Sequence, residues 1–417
     1  MEVISSGYIF AKKKMSTIQQ IDFSNKKAII RADLNVPIKD GKISDDSRIV
    51  ASLPTIQHVL ENGGAVILMS HLGRPTKDLN EDGSIKKEKY SLAPVAKELG
   101  QLLNTNVLLA NDFGGAESQS KAADLKSGEI LLLENTRFET GEGKGDEQLA
   151  KRLAKLADVY INDAFGTAHR AHASTYKVAT LFPADKKAFG FLMNKELEEA
   201  RKITEQPKKP YTVILGGAKV SDKLLLIEKL VPKADHLLIG GGMAYTFIKA
   251  KGGQIGKSLC EEDKIELVRG IMKKAEENNC SIHLPVDTIA ADEFKEDANK
   301  KLVSTSEIPE NLMGLDIGPK TILQYSKIIA ESATIFWNGP MGVFEMPPYA
   351  TGTVKIAEAI SDSTAKGAYS LIGGGDSVAA VNKFGLGDKM SYLSTGGGAM
   401  LTLLEGTVLP AVEAMKH

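Results

Sequence analysis

The sequence predicts a doubly wound α/β protein built from two domains. Short, uniformly apolar runs alternate with amphipathic stretches along nearly the whole chain. The runs lack the alternation of a half-exposed strand, so they belong in parallel sheets buried on both faces. Most of them end in glycine or in a charged residue just before a helix-like segment. Strand–helix alternation of this kind means βαβ units, and 417 residues suffice for two such domains.

In chain order, the first-half strand candidates are KAIIRAD (27–33), AVILMS (65–70), NVLLA (106–110), EILLLE (129–134) and DVYIND (158–163). Helix candidates between them include 45–63 and 146–156. The second half repeats the grammar with YTVILGG (211–217), HLLIGGG (236–242), SIHLPVD (281–287), ATIFWNG (333–339), AYSLIGG (368–374) and MSYLST (390–395). Between the halves, 189–213 reads as a long charged helix ending in a Pro- and Lys-rich break, which suits an interdomain helix.

Composition narrows the class. Formal net charge is -1, so no global field recruits nucleic acid or an anionic membrane. Two cysteines, Cys260 and Cys280, make no disulfide framework and point to a reducing compartment. No apolar run reaches the ~18 residues of a membrane span. The apolar stretch inside MEVISSGYIFAKKK is short, and its lysines follow it instead of preceding it. Residues 1–14 are therefore read as a leader or extension outside the fold, with Met15 opening the working sequence.

Chemistry concentrates at the strand ends. In the second half, four glycine clusters follow strands: GGAKVSDK, LIGGGMAY, LIGGGDSV and STGGGAM. Each sits at the carboxyl edge of a sheet, where open α/β folds bind ligands and helix N-termini offer N–H groups to anions. Four such turns imply a phosphate-bearing ligand. None completes the G-x-G-x-x-G of a dinucleotide fingerprint, which counts against a nicotinamide-dependent oxidoreductase. KGGQIGKS (251–258) lacks the first glycine of a P-loop and follows no strand, so it reads as a surface turn. Lys219 and Lys223, spaced one helical turn apart, suit phosphate contacts or a solvated surface. Asp376 suits a helix N-cap or Mg²⁺, and Glu345 a ribose hydroxyl or plain surface.

The first-half strand ends carry cations instead. Asp33 and Asn35, Arg48, His71 and Arg74, Arg137, and then His169, Arg170 and His172 recur at those positions. A cationic cradle of this kind binds a small polyanion through charge-assisted, bidentate bonds. For His169 and His172 as metal ligands, no fitting third ligand is evident.

RADLNVP, SHLGRP, LLLENTRF, DAFGTAHRAHAST, GGAKVSDK, WNGPMGVFE, GGGDSVAAV and STGGGAMLTLLEG resemble, in order, the signature segments of the phosphoglycerate kinase family. The resemblance runs from about Met15 to the C-terminus. Ala32 and Leu34 stand where the family often has Val and Phe, apolar swaps that spare Asp33 and Asn35. It implies two Rossmann-like domains joined by a linker helix with a deep cleft. The expected parts are a phosphoglycerate-binding domain (15–188), an interdomain helix (189–206), a nucleotide-binding domain (207–395) and a C-terminal segment (396–417) that packs back toward the first domain. The implied activity is Mg²⁺-dependent phosphoryl transfer between 1,3-bisphosphoglycerate and ADP, by hinge closure and without a general base, in a cytoplasmic monomer. By motif, Asp33, Asn35, Arg48, His71, Gly73, Arg74, Arg137 and Arg170 would hold the glycerate ligand. Gly217, Lys219, Lys223, Gly241, Gly314, Asn338, Glu345, Gly373, Gly374, Gly375, Asp376 and Ser377 would surround the nucleotide, with Asp376 on the magnesium. Arg48, Lys219, Gly375 and Gly398 would act on the moving phosphoryl group.

Overall fold

A computed structural model describes residues 17–416, so the expected leader lies outside the described residues. The described chain divides into two compact units. One holds residues up to Leu197 together with those from Val408 onward, and the other holds Glu198–Thr407. The division falls inside a single helix, Phe191–Thr204, in the region expected to link the domains.

The first unit is built on six parallel strands. They are β1 (Lys27–Ala32), β2 (Ala65–Met69), β3 (Val107–Leu109), β4 (Ile130–Leu132), β5 (Val159–Asp163) and β6 (Lys187–Phe189). Their order across the sheet is β3-β4-β2-β1-β5-β6. Every residue of β2, β4, β5 and β6 is buried, as expected for strands covered by helices on both faces. Helix Ser47–Glu61 shows how the cover is made: its buried Ile49, Ser52, Ile56 and Val59 recur at spacings of three and four. Strand β6 was not expected. It is only three residues long and opens on a lysine, so no apolar run announces it.

The second unit repeats the plan with β7 (Tyr211–Leu215), β8 (His236–Ile239), β9 (Ser281–His283), β10 (Thr334–Asn338), β11 (Tyr369–Gly373) and β12 (Tyr392–Leu393). Their order is β9-β8-β7-β10-β11-β12. One expected strand divides. SIHLPVD places Ser281–His283 in this sheet, while Asp287 begins an antiparallel sheet of Asp287–Ala291, Lys300–Ser304 and Met313–Ile317. Pro285, which has no N–H for a ladder, lies between the two pieces.

In each sheet the chain winds outward in one direction and then in the other. The reversal falls between β1 and β5 in the first unit and between β7 and β10 in the second. Ligands of open α/β sheets bind beyond the carboxyl ends of the strands at such a switch point.

Candidate active site

At the first switch point, β1 is followed directly by Asp33, whose carboxylate pairs with the Arg48 guanidinium. Gly166, beyond β5, leaves the room this pair needs: a Cβ there would run into Asp33 Oδ2 and lie 3.8 Å from Arg48 Nη1. Asn35 Oδ1 accepts from the Gly73 N–H at 2.7 Å, and Arg137 donates to the Gly73 carbonyl. Three turns following different strands are thereby tied together.

Beside this network lies a cavity of about 550 Å³ lined by Arg74, Lys77, Arg137, Glu142, Arg170 and His172, among others. The arginines are close enough to perturb one another: burial, then Arg170, Arg31 and Arg74, lowers the pKa of Arg137. Burial and the surrounding arginines push His71 well below its ordinary value and His172 down to about 4. Both imidazoles are therefore neutral at physiological pH, and the positive field comes from guanidiniums. Among the described residues, no three His, Cys, Asp or Glu side chains gather as a metal site, so His169 and His172 find no further ligand.

Two members of this site were not picked out beforehand. Arg31 is fully buried inside β1, donating from Nε to Ser174 Oγ at 2.9 Å and lying 3.4 Å from His71 Nδ1. The signal was present: a guanidinium inside an otherwise apolar strand requires partners. Glu142, a buried carboxylate, gave no comparable signal because its segment is polar throughout.

At the second switch point the backbone itself makes the walls. Gly216 N donates to Asn338 O at 2.9 Å and Gly217 N to Pro340 O at 3.0 Å, closing the ends of β7 and β10 on each other. Gly217 adopts φ +96°, and a Cβ on Gly216 would collide with the Pro340 carbonyl. Gly374 adopts φ +90°, with a hypothetical Cβ 2.5 Å from Asn338 Nδ2. Only glycine allows these turns to lie so close together. The result is a cavity of about 320 Å³ lined by Gly217, Lys219, Lys223, Asn338, Gly374, Gly375, Asp376, Ser377 and Gly398, among others. Ser377 Oγ accepts from Gly339 N at 2.6 Å, fixing the start of helix Gly375–Lys383 against the loop after β10. Asn338 donates to the Gly373 carbonyl at 2.7 Å, while its buried Oδ1 has no hydrogen-bond partner among the described residues.

The two lysines reach this cavity by another route than a shared helix face. Lys219 lies in a loop and Lys223 ends a 3₁₀ turn, the α-helix beginning only at Leu224. Ser221, bound by Glu261 through its N–H at 3.0 Å and its hydroxyl at 2.6 Å, anchors the loop between them. Asp376 is not an N-cap: Gly374 holds that position, and Asp376 stands exposed in the first helical turn. Four expected nucleotide residues lie outside the cavity lining. Gly241 packs against the backbone of Gly217, Gly314 against the Tyr245 hydroxyl, Gly373 is buried at the end of β11, and Glu345 is exposed.

A guanidinium-lined cavity at one switch point and a glycine-walled, lysine-bearing one at the other define a two-unit α/β enzyme that handles phosphorylated ligands. The family model for phosphoglycerate kinase matches residues 18–407. A phosphoglycerate kinase of Thermosipho africanus is 49% identical over 402 residues, covering 96% of this chain and 98% of the relative. Among solved structures, the phosphoglycerate kinase of Coxiella burnetii superposes with a TM-score of 0.85 at 44% identity, covering 96% of this chain and 99% of that one. That of Pyrococcus horikoshii gives 0.79 at 33% identity, over 96% and 98%. The chain belongs to the phosphoglycerate kinase family.

Proposed function

We propose a division of labour for the reaction of this family, the reversible transfer of a phosphoryl group between 1,3-bisphosphoglycerate and ADP that yields 3-phosphoglycerate and ATP. The first unit holds the glycerate ligand, with Arg74, Arg137 and Arg170 on its anionic groups and Asp33, Asn35, Arg48, His71 and Gly73 at its reacting end. The second unit holds the nucleotide, its phosphates against Gly217, Lys219, Lys223 and the turn Gly373–Ser377. Gly241, Gly314 and Glu345 act at one remove, shaping the wall for the base and ribose. The observation that carries this reading is the arginine-lined cavity beside the Asp33–Arg48 pair.

The acceptor in the ATP-consuming direction is a carboxylate, ionised at neutral pH. No proton has to be removed, and the nearby His71 and His172 are poor proton acceptors, since burial and the surrounding cations lower their basicity. What remains is alignment and charge neutralisation. Arg48 and Lys219 bring positive charge to the moving phosphoryl oxygens, and the N–H groups near Gly375 and Gly398 add fixed dipoles. Because the two ligands bind to different units, transfer requires closure about a hinge, with helix Phe191–Thr204 as part of it.

The donor set also suits magnesium. Asp376 offers an exposed carboxylate beside glycine backbone that would face phosphates, which matches a cation that keeps waters and phosphate oxygens among its other ligands. Bound there, Mg²⁺ would supply positive charge to the nucleotide phosphates. Free thiols at Cys260 and Cys280 support a cytoplasmic setting, and a monomer suffices for the chemistry.

A coupled assay with ATP and 3-phosphoglycerate, with and without Mg²⁺, tests the scheme. Turnover should require all three. Asp376→Ala should impair use of Mg-nucleotide far more than binding of 3-phosphoglycerate; equal loss of both would remove Asp376 from the metal role.

A further inference from the structure

A carboxylate in a cavity built to hold an anion is at first sight misplaced. Glu142 lines the arginine-rich cavity yet is only 1% exposed. Its carboxylate accepts from the Ser174 hydroxyl at 2.6 Å and from the Ser174 N–H at 3.0 Å. That same hydroxyl accepts from Arg31 Nε at 2.9 Å. Arg31 is held at its other end by the Ala32 carbonyl and lies within reach of His71. Glu142 also stands 3.7 Å from Nδ1 of His172, which lines the cavity beside it. Its own carbonyl takes the N–H groups of Ala173 at 2.9 Å and Gly145 at 3.2 Å, so side chain and backbone together clip the 172–174 segment in place.

We propose that Glu142 is a positioning residue for the glycerate site, holding Arg31 through Ser174 and clipping the 172–174 segment that carries His172, so that the cavity presents a fixed array to its anion. The inference rests on the reading of this cavity as the phosphoglycerate site. Two consequences of a buried carboxylate pull in opposite directions. Its charge repels an anionic ligand, so removal by itself would tighten binding. Its hydrogen bonds order the cationic wall, so removal would loosen binding. The geometry favours the second. Glu142 binds Ser174 and lies beside His172, and Arg31 and Arg137, the cations whose charge reaches it, would otherwise lie close together without an opposing carboxylate.

The test compares Michaelis constants in the intact enzyme. Glu142→Gln keeps the shape and removes the charge; it should raise the KM for 3-phosphoglycerate about tenfold, the scale of one charge-assisted hydrogen bond, while the KM for ATP stays within about twofold. Ser174→Ala, which keeps the charge and cuts the link to Arg31, should raise the same KM. The double variant should be no worse than Glu142→Gln alone, since both act on one chain of contacts. A KM for 3-phosphoglycerate that is unchanged or lower in Glu142→Gln overturns the proposal, as does full additivity. If Glu142→Gln does not fold, an unchanged KM in Ser174→Ala overturns it. Arg137→Ala separates the two levels. If it leaves that KM unaltered, the reading of the cavity fails; if it raises the KM while Glu142→Gln does not, only the role of Glu142 fails.

Discussion

Arg48 is the residue on which the proposed chemistry leans most. Its guanidinium is held by Asp33, and the pair exists because residue 166 has no side chain. Arg48→Ala should lower turnover by roughly 10²–10³-fold, the usual effect of losing one charge that stabilises a transition state, with little change in nucleotide affinity measured by titration. Gly166→Ala should copy part of that loss, since its methyl group would displace the Asp33 carboxylate; an alanine variant with unchanged turnover would separate Arg48 from the mechanism. At this scale the sequence was readable where polar residues interrupt apolar runs. Asp33, Arg74 and Arg137 declared themselves in that way. Arg31 also interrupts an apolar run, but what it binds, like the role of Glu142 in a stretch where every neighbour is polar or glycine, depends on contacts with Ser174 some distance along the chain.

Strands and helices show where local pattern suffices and where it stops. The buried parallel strands were legible because burial on both faces leaves continuous apolar runs. The antiparallel sheet was not, since its middle strand Asp287–Ala291 adjoins the run that supplies β9, and Lys300–Ser304 is largely exposed. Asp287 does more than begin a strand. Its carboxylate accepts from Lys320 N at 2.9 Å, Thr321 N at 2.8 Å and Thr321 Oγ1 at 2.7 Å, and so caps helix Pro319–Ala330 from outside. Asp287→Ala should cost about 1–3 kcal/mol, a cap plus orphaned donors, read as a lower unfolding midpoint in urea. Asp316, on Met313–Ile317, accepts from Gly352 N at the start of the next helix, and burial raises its pKa to about 7. Folded protein thus keeps a proton there that the unfolded chain releases near 3.8. Its contribution is full below that value and is lost as pH rises toward 7. The stability of wild type relative to Asp316→Asn should therefore fall between about pH 4 and about pH 7 in a thermal unfolding series; a difference that stays constant would refute the assignment.

Across the whole molecule, the first unit is assembled from both ends of the chain. Leu409, Ala411, Val412, Ala414 and Met415 are all buried in it. The Ala411 N–H donates to Ala168 O at 3.1 Å. Lys187, nearly inaccessible within β6, donates to Ala179 O at 2.9 Å and to Ala414 O at 3.0 Å. Truncation after Thr407 would bare that apolar surface and leave the Lys187 ammonium one acceptor short. It should depress the melting temperature of the first unit by more than that of the second, followed by separate calorimetric transitions; equal shifts would argue against so local a role. That the chain forms two α/β units was legible in the strand–helix pattern repeated on either side of residues 189–213. The family resemblance alone suggested a returning segment, and it began that segment at 396, whereas residues up to Thr407 group with the second unit and only those from Val408 with the first; nothing in VLPAVEAMK names its partner.

This arrangement also orders events at the ribosome. The whole of the second unit is synthesised before the segment that closes the first, because the acceptor for Lys187 at Ala414 follows Thr407 in the chain. A domain that normally folds as it emerges here lacks its closing residues until those of the other unit have been made.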